Sequence, residues 1–326
     1  MKILVTGGAG FIGSHLADFF LQQTDCEVCC LDNFDSYYDP QIKKQHIEKL
    51  LPNPRFELVK GDLRDTDLLK KILADADYVF HEAAQAGVRI SVRDPKKTHE
   101  VNATGTLKLL DVAKDTNVRK IINASSSSIY GKIKYLPFDE VHPAEPVSPY
   151  GISKLMAEQY CRVFEELYGL KSVSLRYFTV YGPRMRPDLA IHIFMQKSLN
   201  NDPIVIFGDG TKSRDITYID DVVRANVLAM TKGSGAYNIG GGHAITIGQI
   251  AEKIIEITKS ESVILYEKNV PGDVEHTSAD TRKAERELGW KPAISLYEGL
   301  ENYKQWILHG LNPACNEDGN AGSSLW

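Results

Sequence analysis

Through the first 180 residues, short and almost continuously apolar runs alternate with longer stretches in which apolar positions recur every three to four residues. The runs KILVT (2–6), EVCCLD (27–32), RFELVK (55–60), YVFH (78–81), KIINAS (120–125) and SVSLRYF (172–178) predict strands. Several carry apolar side chains on both faces, as strands of a parallel sheet covered on both sides do. Helices are predicted between them over 11–22, 66–74, 98–115 and 149–168. In the third, Val101, Leu107, Leu110 and Val112 lie among polar residues with a roughly helical recurrence. Alternation of this kind implies right-handed crossovers and an α/β fold built on a doubly wound parallel sheet.

The pattern loosens beyond residue 180. Pro183, Pro187, Pro203, Pro271 and Pro292 punctuate shorter elements there, and Gly240–Gly242 marks a sharp loop. TYIDDVVRANVLAM (217–230) again reads as a helix and is expected to fold back onto the first sheet. These breaks divide the chain into a first domain, 1–178 with 217–241 returning to it, and a second lobe of 179–216 and 242–311. A Gly-, Ser- and Asn-rich stretch over 312–326 reads as a loose tail.

Composition narrows the function class. With 43% apolar and 25% charged residues in 326, the chain has the make-up of a two-lobed soluble enzyme. A formal net charge of −5 argues against nucleic-acid binding through phosphate contacts. No apolar run approaches the ~20 residues that span a bilayer. MKILVTGG opens without the features of a secretory leader, so a cytoplasmic protein is expected. Cys26, Cys29 and Cys30 cluster in a run that reads as a buried strand, where free cysteine packs as a small apolar side chain. Cys161 and Cys315 have no ligand-like spacing, and no metal site is predicted.

Candidate chemistry begins at the first turn. Gly7-Gly8-Ala9-Gly10-Phe11-Ile12-Gly13 follows the first predicted strand and opens the first helix, with GxxGxxG spacing on Gly7, Gly10 and Gly13. Glycines there permit a tight turn, close approach of a pyrophosphate and tight helix–sheet packing. The helix N-terminus offers unpaired N–H groups to the phosphates. Asp32 closes the second strand, where an acid takes the ribose hydroxyls of a dinucleotide. Asn33 and Phe34 follow it instead of an arginine, which favours NAD over NADP. Gly61-Asp62-Leu63, after the third strand, is expected at the adenine.

Tyr150-Gly-Ile-Ser-Lys154 starts a helix after Pro146 and Pro149, and the i, i+4 spacing sets both side chains on one face. An ammonium beside a phenol, with a positive nicotinamide, stabilises phenolate, which then accepts a proton from a sugar hydroxyl as hydride leaves the same carbon. The hydroxyl run Ser125-Ser126-Ser127-Ser128 ends the preceding strand.

GGAGFIG, the strand-end Asp32, HEAAQAGV (81–88), Asn102, SSSSIYG (125–131), YGISK (150–154) and LRYFTVYGPR (175–184) resemble the extended short-chain dehydrogenase/reductase family. More narrowly they resemble its NAD-dependent nucleotide-sugar epimerases, over about residues 1 to 310. The resemblance implies a Rossmann-type doubly wound sheet with a smaller C-terminal α/β substrate lobe, tightly held NAD, and a UDP-sugar between the lobes. It also implies a homodimer packed through helices 98–115 and 149–168. Carried over by position, Tyr150 is the base and Lys154 its partner and nicotinamide-ribose ligand. Ser126 shares a hydrogen bond with the reacting oxygen. Gly7, Gly10, Phe11, Ile12, Gly13, Asp32, Asn33, Asp62, Leu63, Ala83, Ala84, Gln85, Asn102, Ser125 and Tyr177 are the further cofactor contacts that it implies. Arg214 resembles the family arginine on the UDP phosphates, and Asp273 lies in a stretch that resembles the loop closing over the nucleotide.

Family members with irreversible chemistry carry an acid just before the YG that follows the hydroxyl run; this chain has Ser128-Ile129 before Tyr130. A ketone formed without that acid takes hydride back on the opposite face, which is net 4-epimerisation. SSSSIYG, AAQAGVR, the RPD of GPRMRPDLA and the PGDV loop resemble UDP-glucuronate 4-epimerases more than glucose-specific ones. Oxidised glucuronate is a β-keto acid that must be kept from losing CO₂. Hydroxyls of Ser127, Ser128 and Thr179 are suited to hold its carboxylate, and Arg186 to contact the sugar or its acid. Val270, where arginine is often found, and Thr179, often Asn, depart from the glucose enzymes. UDP-glucose and UDP-N-acetylhexosamine epimerases are the alternatives, followed by a net dehydrogenase and a catalytically inactive NAD-binding regulator.

Overall fold

A computed structural model describes residues 1–268 and 274–309. Six strands come in succession: β1 (Lys2–Thr6), β2 (Glu27–Asp32), β3 (Phe56–Lys60), β4 (Tyr78–His81), β5 (Lys120–Ser126) and β6 (Ser172–Tyr177). Then follow β7 (Thr179–Tyr181), β8 (Ile204–Phe207), β9 (Ser213–Tyr218), β10 (Gly235–Ile239), β11 (Ala244–Thr246) and β12 (Ile264–Glu267). Among the described residues the central sheet has the order β3-β2-β1-β4-β5-β6-β10, and each neighbouring pair is parallel. The register sets Leu4 between Cys29 and Val79.

The helices are α1 (Phe11–Gln23), α2 (Pro40–Ile47), α3 (Thr66–Leu73), α4 (Val88–Arg93), α5 (Pro95–His99), a π-helical turn (Glu100–Thr104), α6 (Gly105–Ala113), α7 (Pro149–Tyr168), α8 (Ala190–Leu199), α9 (Ile219–Thr231), α10 (Ile247–Thr258), α11 (Arg282–Leu288) and α12 (Leu296–Leu308). Alternation along each strand feeds two cores. Ile3, Val5 and Cys30 join Leu16, Phe20, Val222 and Ala225 of α1 and α9 on one face. Leu4 and Cys29 join Leu69, Leu109 and Phe164 of α3, α6 and α7 on the other. This is why the strands read as continuously apolar: both pleat faces are covered. Each Val, Leu, Ile or Phe side chain among them contributes roughly 1.5–3 kcal/mol by leaving water. Burial pushes the thiols of Cys29 and Cys161 up to about 12, so they pack as apolar groups.

Strand order reverses between β1 and β4, and the crevice outside their carboxyl ends is where such sheets take ligands. β10 adds to the β6 edge, so α9 and β10 return to the large sheet. A three-stranded sheet, β11-β9-β7, and a two-stranded one, β12-β8, stand apart from it with α8, α10 and α12.

Some expected boundaries shift. The helix expected over 217–230 begins at Ile219, because Thr217 and Tyr218 complete β9 opposite Val180 and Tyr181 of β7. The helix expected over 98–115 starts at Pro95 on an Asp94 cap and opens into the π turn before α6. In that turn Asn102 is drawn into the interior, where its side chain binds Gln85 and Ser153. Helices α2 and α4 were not predicted, since PQIKKQHI is mostly polar and VRISVR is one short turn and a half. The tail over 312–326, Asp273, Val270 and Cys315 lie outside the described residues.

Candidate active site

The first turn of the chain is shaped by backbone crowding. Gly7 has φ +68, and a Cβ on it would lie 2.8 Å from the Ala83 nitrogen. A Cβ on Gly13 would lie 2.3 Å from the Gly7 carbonyl oxygen, so α1 packs against the loop more closely than any side chain permits. Gly10 is the N-cap of α1; it brings no side chain to cap the helix, and no acid stands in the first turn. The leading N–H groups are thus presented to the cleft beside Phe11 and Ile12, as a pyrophosphate requires. Asp32, 5% exposed, lies across this turn and accepts from the Ala9 and Phe34 N–H groups. Asn33 donates to Asp62 (3.0 Å), and hydrogen bonds from Arg64 hold the Asp62 carboxyl well below the usual carboxylate range. Leu63, Ala83, Ala84 and Gln85 line the same cleft. Asn102 does not line it. Its amide accepts from the Gln85 N–H (2.7 Å) and donates to the Gln85 carbonyl and Ser153 Oγ, which ties Gln85 of the cleft wall to α7.

Tyr150 and Lys154 sit on successive turns of α7. Ser148 caps that helix through the Gly151 N–H and Pro149 occupies its first turn. Lys154 Nζ donates to the Ala124 carbonyl at the end of β5 (2.7 Å), which pins the lysine beneath the hydroxyl run. Ser153 Oγ donates to the Tyr150 carbonyl (2.8 Å) and accepts from Asn102, tying the tyrosine's turn to the π turn. Ser126 Oγ accepts from the Ser128 N–H (3.1 Å), an arrangement that leaves its own proton to donate. The Ser125 hydroxyl donates to Glu158. Ser127, Ser128 and Thr179 line the cleft beside Tyr150.

Support for this loop is buried and ionic. Glu158 takes Arg176 in a two-pronged pair (3.0 Å each), and Arg176 reaches Tyr130 Oη (3.0 Å) and the Glu140 carbonyl. Tyr130 stacks on Phe138 and donates to Asn238.

Between β7 and α8, Arg186 pairs with Asp188 (2.9 and 3.2 Å), which also accepts from Tyr37 Oη (2.7 Å), and the guanidinium lies over the Tyr37 ring. The expected sugar contact therefore enters the cleft already neutralised by a carboxylate. Arg214 donates to the Ser213 and Glu275 carbonyls, while neighbouring Asp215 takes backbone N–H groups of Gly241 and Ala279. The glycine turn, Asp32, Ser126, Tyr150, Lys154, Thr179, Arg186 and Arg214 open on one cleft of about 1020 Å³, large enough for a dinucleotide and part of a nucleotide sugar. Among the described residues no three His, Cys, Asp or Glu side chains cluster as a metal would require.

Tyr37, Lys43 and Glu82 are among the cleft residues that sequence reasoning did not single out. The first two come from a polar segment without periodicity. Glu82 stood in view in HEAAQAGV as an acid ending an apolar strand. Tyr177, expected at the cofactor, spends its hydroxyl on Glu82 (2.9 Å) and Asn226. Burial raises the Glu82 carboxyl to about 7. The folded protein then holds a proton that the unfolded chain releases near pH 4.5, so stability falls as pH rises from there through about 7. Glu82→Gln should remove that slope, gaining about 2–3 kcal/mol on wild type between pH 5 and 8. Thermal melts at both pH values check this, and an equal difference at both would contradict it.

Comparison with known proteins extends these observations. A family model described as GDP-mannose 4,6 dehydratase matches residues 4–303. A putative UDP-glucose 4-epimerase of Methanocaldococcus jannaschii is 39% identical over 310 residues, 94% of this chain and 98% of that protein. The UDP-glucuronic acid 4-epimerase of Bacillus cereus, solved with UDP-glucuronic acid and NAD, is 39% identical with a TM-score of 0.90, covering 95% of this chain and 99% of that one. The UDP-glucose 4-epimerase of Thermotoga maritima, solved with UDP-glucose, is also 39% identical, with a TM-score of 0.89 over 96% of this chain and 100% of that one.

Proposed function

The chain belongs to the extended short-chain dehydrogenase/reductase family of nucleotide-sugar epimerases and dehydratases, and on that premise we propose that it is a UDP-sugar 4-epimerase that interconverts UDP-glucuronate and UDP-galacturonate. Its cofactor is NAD, which supplies the acceptor and donor for the hydride at C4. The turn at Gly7, Gly10 and Gly13 fits a pyrophosphate and Asp32 a ribose, as the crowded glycines and uncapped α1 indicate.

Tyr150 takes the proton of the C4 hydroxyl and later returns it to the same oxygen. Lys154, one turn on and anchored by Ala124, brings positive charge to the phenolate. Ser126 donates its free proton to the C4 oxygen, which keeps that oxygen in reach of Tyr150 through both halves of the cycle. Between them the sugar turns its other face, beside the hydroxyls of Ser127, Ser128 and Thr179 on the cleft wall.

The observation that carries the choice of sugar is the row Ser127, Ser128 and Thr179 on the cleft wall, with Ile129, not an acid, ahead of Tyr130. Neutral hydroxyls grip a carboxylate without offering a competing proton, and hold it out of line with the C4 carbonyl, where CO₂ would be lost. The sequence likeness to a UDP-glucose 4-epimerase supports UDP-glucose as the second reading. An assay of UDP-glucuronate, UDP-glucose and UDP-N-acetylglucosamine by NMR separates them. The expected outcome is UDP-galacturonate as the fastest product; its absence overturns the reading.

A finer test bears on the grip itself. Thr179→Ala should raise the share of turnovers that release CO₂ and a UDP-4-keto-pentose, detected by mass. Loss of a charge-assisted bond of ~2 kcal/mol changes the partition by roughly thirty-fold. Equal loss of epimerisation on UDP-glucose and UDP-glucuronate, with no decarboxylated product, would remove Thr179 from that role. The same reading includes a cytoplasmic homodimer joined through the helical stretches 98–115 and 149–168, the second of which exposes Ile152 and Leu167; light scattering reads its mass.

A further inference from the structure

The Asp32 carboxylate fills a complete set of anion donors. Its Oδ2 accepts from the Ala9 N–H (3.2 Å), and its Oδ1 from the Phe34 N–H (2.8 Å) and from Lys43 Nζ (3.2 Å). Both partners of the ion pair are largely withdrawn from solvent, with side chains 3% and 12% exposed. Lys43 reaches down from α2, with its ammonium over the Tyr38 ring, and lines the cleft although the reaction has no task for it.

A buried ion pair adds little to stability over an apolar pair of the same shape. A carboxylate meant to receive two ribose hydroxyls does not need an ammonium as well. Two backbone N–H groups and one ammonium converging on an anion are, however, the donors that a phosphate monoester takes. We propose that Ala9, Phe34 and Lys43 form a latent phosphate-monoester site in which Asp32 is the resident anion, and that Lys43 is a cofactor-specificity residue. Asp32 excludes a 2′-phosphorylated adenosine by occupying the donors that the phosphate needs as well as by its charge. Removing the carboxylate leaves the same donors, and one uncompensated positive charge, for the phosphate.

This rests on the assignment of NAD to the cleft, and the test keeps the two apart. Cofactor is stripped, and NAD and NADP are titrated by fluorescence quenching into wild type, Asp32→Ser, Lys43→Met and Asp32→Ser/Lys43→Met. Asp32→Gly serves as a second variant for the first substitution, and thermal melts report the fold of each. Wild type and Lys43→Met should bind NAD and reject NADP. Asp32→Ser should gain NADP affinity by at least about tenfold, the worth of one charge-assisted bond. Adding Lys43→Met should reverse that gain by about tenfold while changing NAD affinity by less than about threefold. Equal NADP affinity with and without Lys43 overturns the proposal, as does an Asp32→Ser protein that keeps NAD and gains no NADP. Failure of wild type to bind NAD overturns both this and the reading on which it rests.

Discussion

Tyr150→Phe is expected to lower turnover by at least ~100-fold while leaving the fold and NAD affinity as they are, because a positioned base typically contributes 10²–10⁴ in rate. The substitution removes one oxygen from a residue whose backbone, not its hydroxyl, carries the local structure. The Tyr150 carbonyl accepts from Ser153, and α7 is started by Ser148 and Pro149. Lys154 keeps its bond to Ala124 whatever stands at 150. The loss should therefore fall on kcat with little change in KM, since the phenol acts on the proton in transit and not on the bound nucleotide. Steady-state rates with a UDP-sugar, alongside cofactor titration, separate the two effects. A rate within fivefold of wild type would exclude Tyr150 as the base.

The second large effect is structural. Glu158→Ala should cost about 3–5 kcal/mol, because it leaves the Arg176 guanidinium buried without its two-pronged partner. Both side chains are at most 10% exposed, so water does not replace the lost carboxylate. Ser125 loses its acceptor and Tyr130 keeps an uncompensated cation against its hydroxyl, so the damage reaches the hydroxyl run and with it the active site. Melting should drop by about 10 °C. The pair Glu158→Leu/Arg176→Met should recover much of that, since an apolar pair has no desolvation cost to offset. A single-variant loss below about 1 kcal/mol would show that solvent or Glu140 already screens the arginine.

The parts of this molecule legible in its sequence are those written in local pattern. The six early strands announce themselves because both pleat faces are buried, as Leu4 and Val5 facing opposite cores illustrate. Strands β7, β11 and β12 are three or four residues long and partly exposed, too short for any period to emerge. The edge strand β10, GAYNI, looks like a loop in isolation and becomes a strand only through β6. At the site, glycine spacing, Tyr150 and Lys154 stand in contiguous motifs. Lys43 is recognisable only once α2 folds it onto Asp32, eleven residues before it in the chain. Asn102 stood out by its position, but its task of holding Gln85 and Ser153 depends on the π turn, which no spacing in the sequence foretells. Arg186 stood out in the same way, without any sign that Asp188 and Tyr37 would already engage it.

The central claim is that hydride leaves C4 and returns to it within one enclosed cycle, while Tyr150 moves the proton. UDP-glucuronate deuterated at C4, incubated in ordinary water with enzyme as purified and no added cofactor, tests this most directly. Product analysed by NMR and mass should be UDP-galacturonate carrying deuterium at C4, with no cofactor released. Formation of no C4 epimer, or of an epimer bearing protium from solvent at C4, would contradict the account.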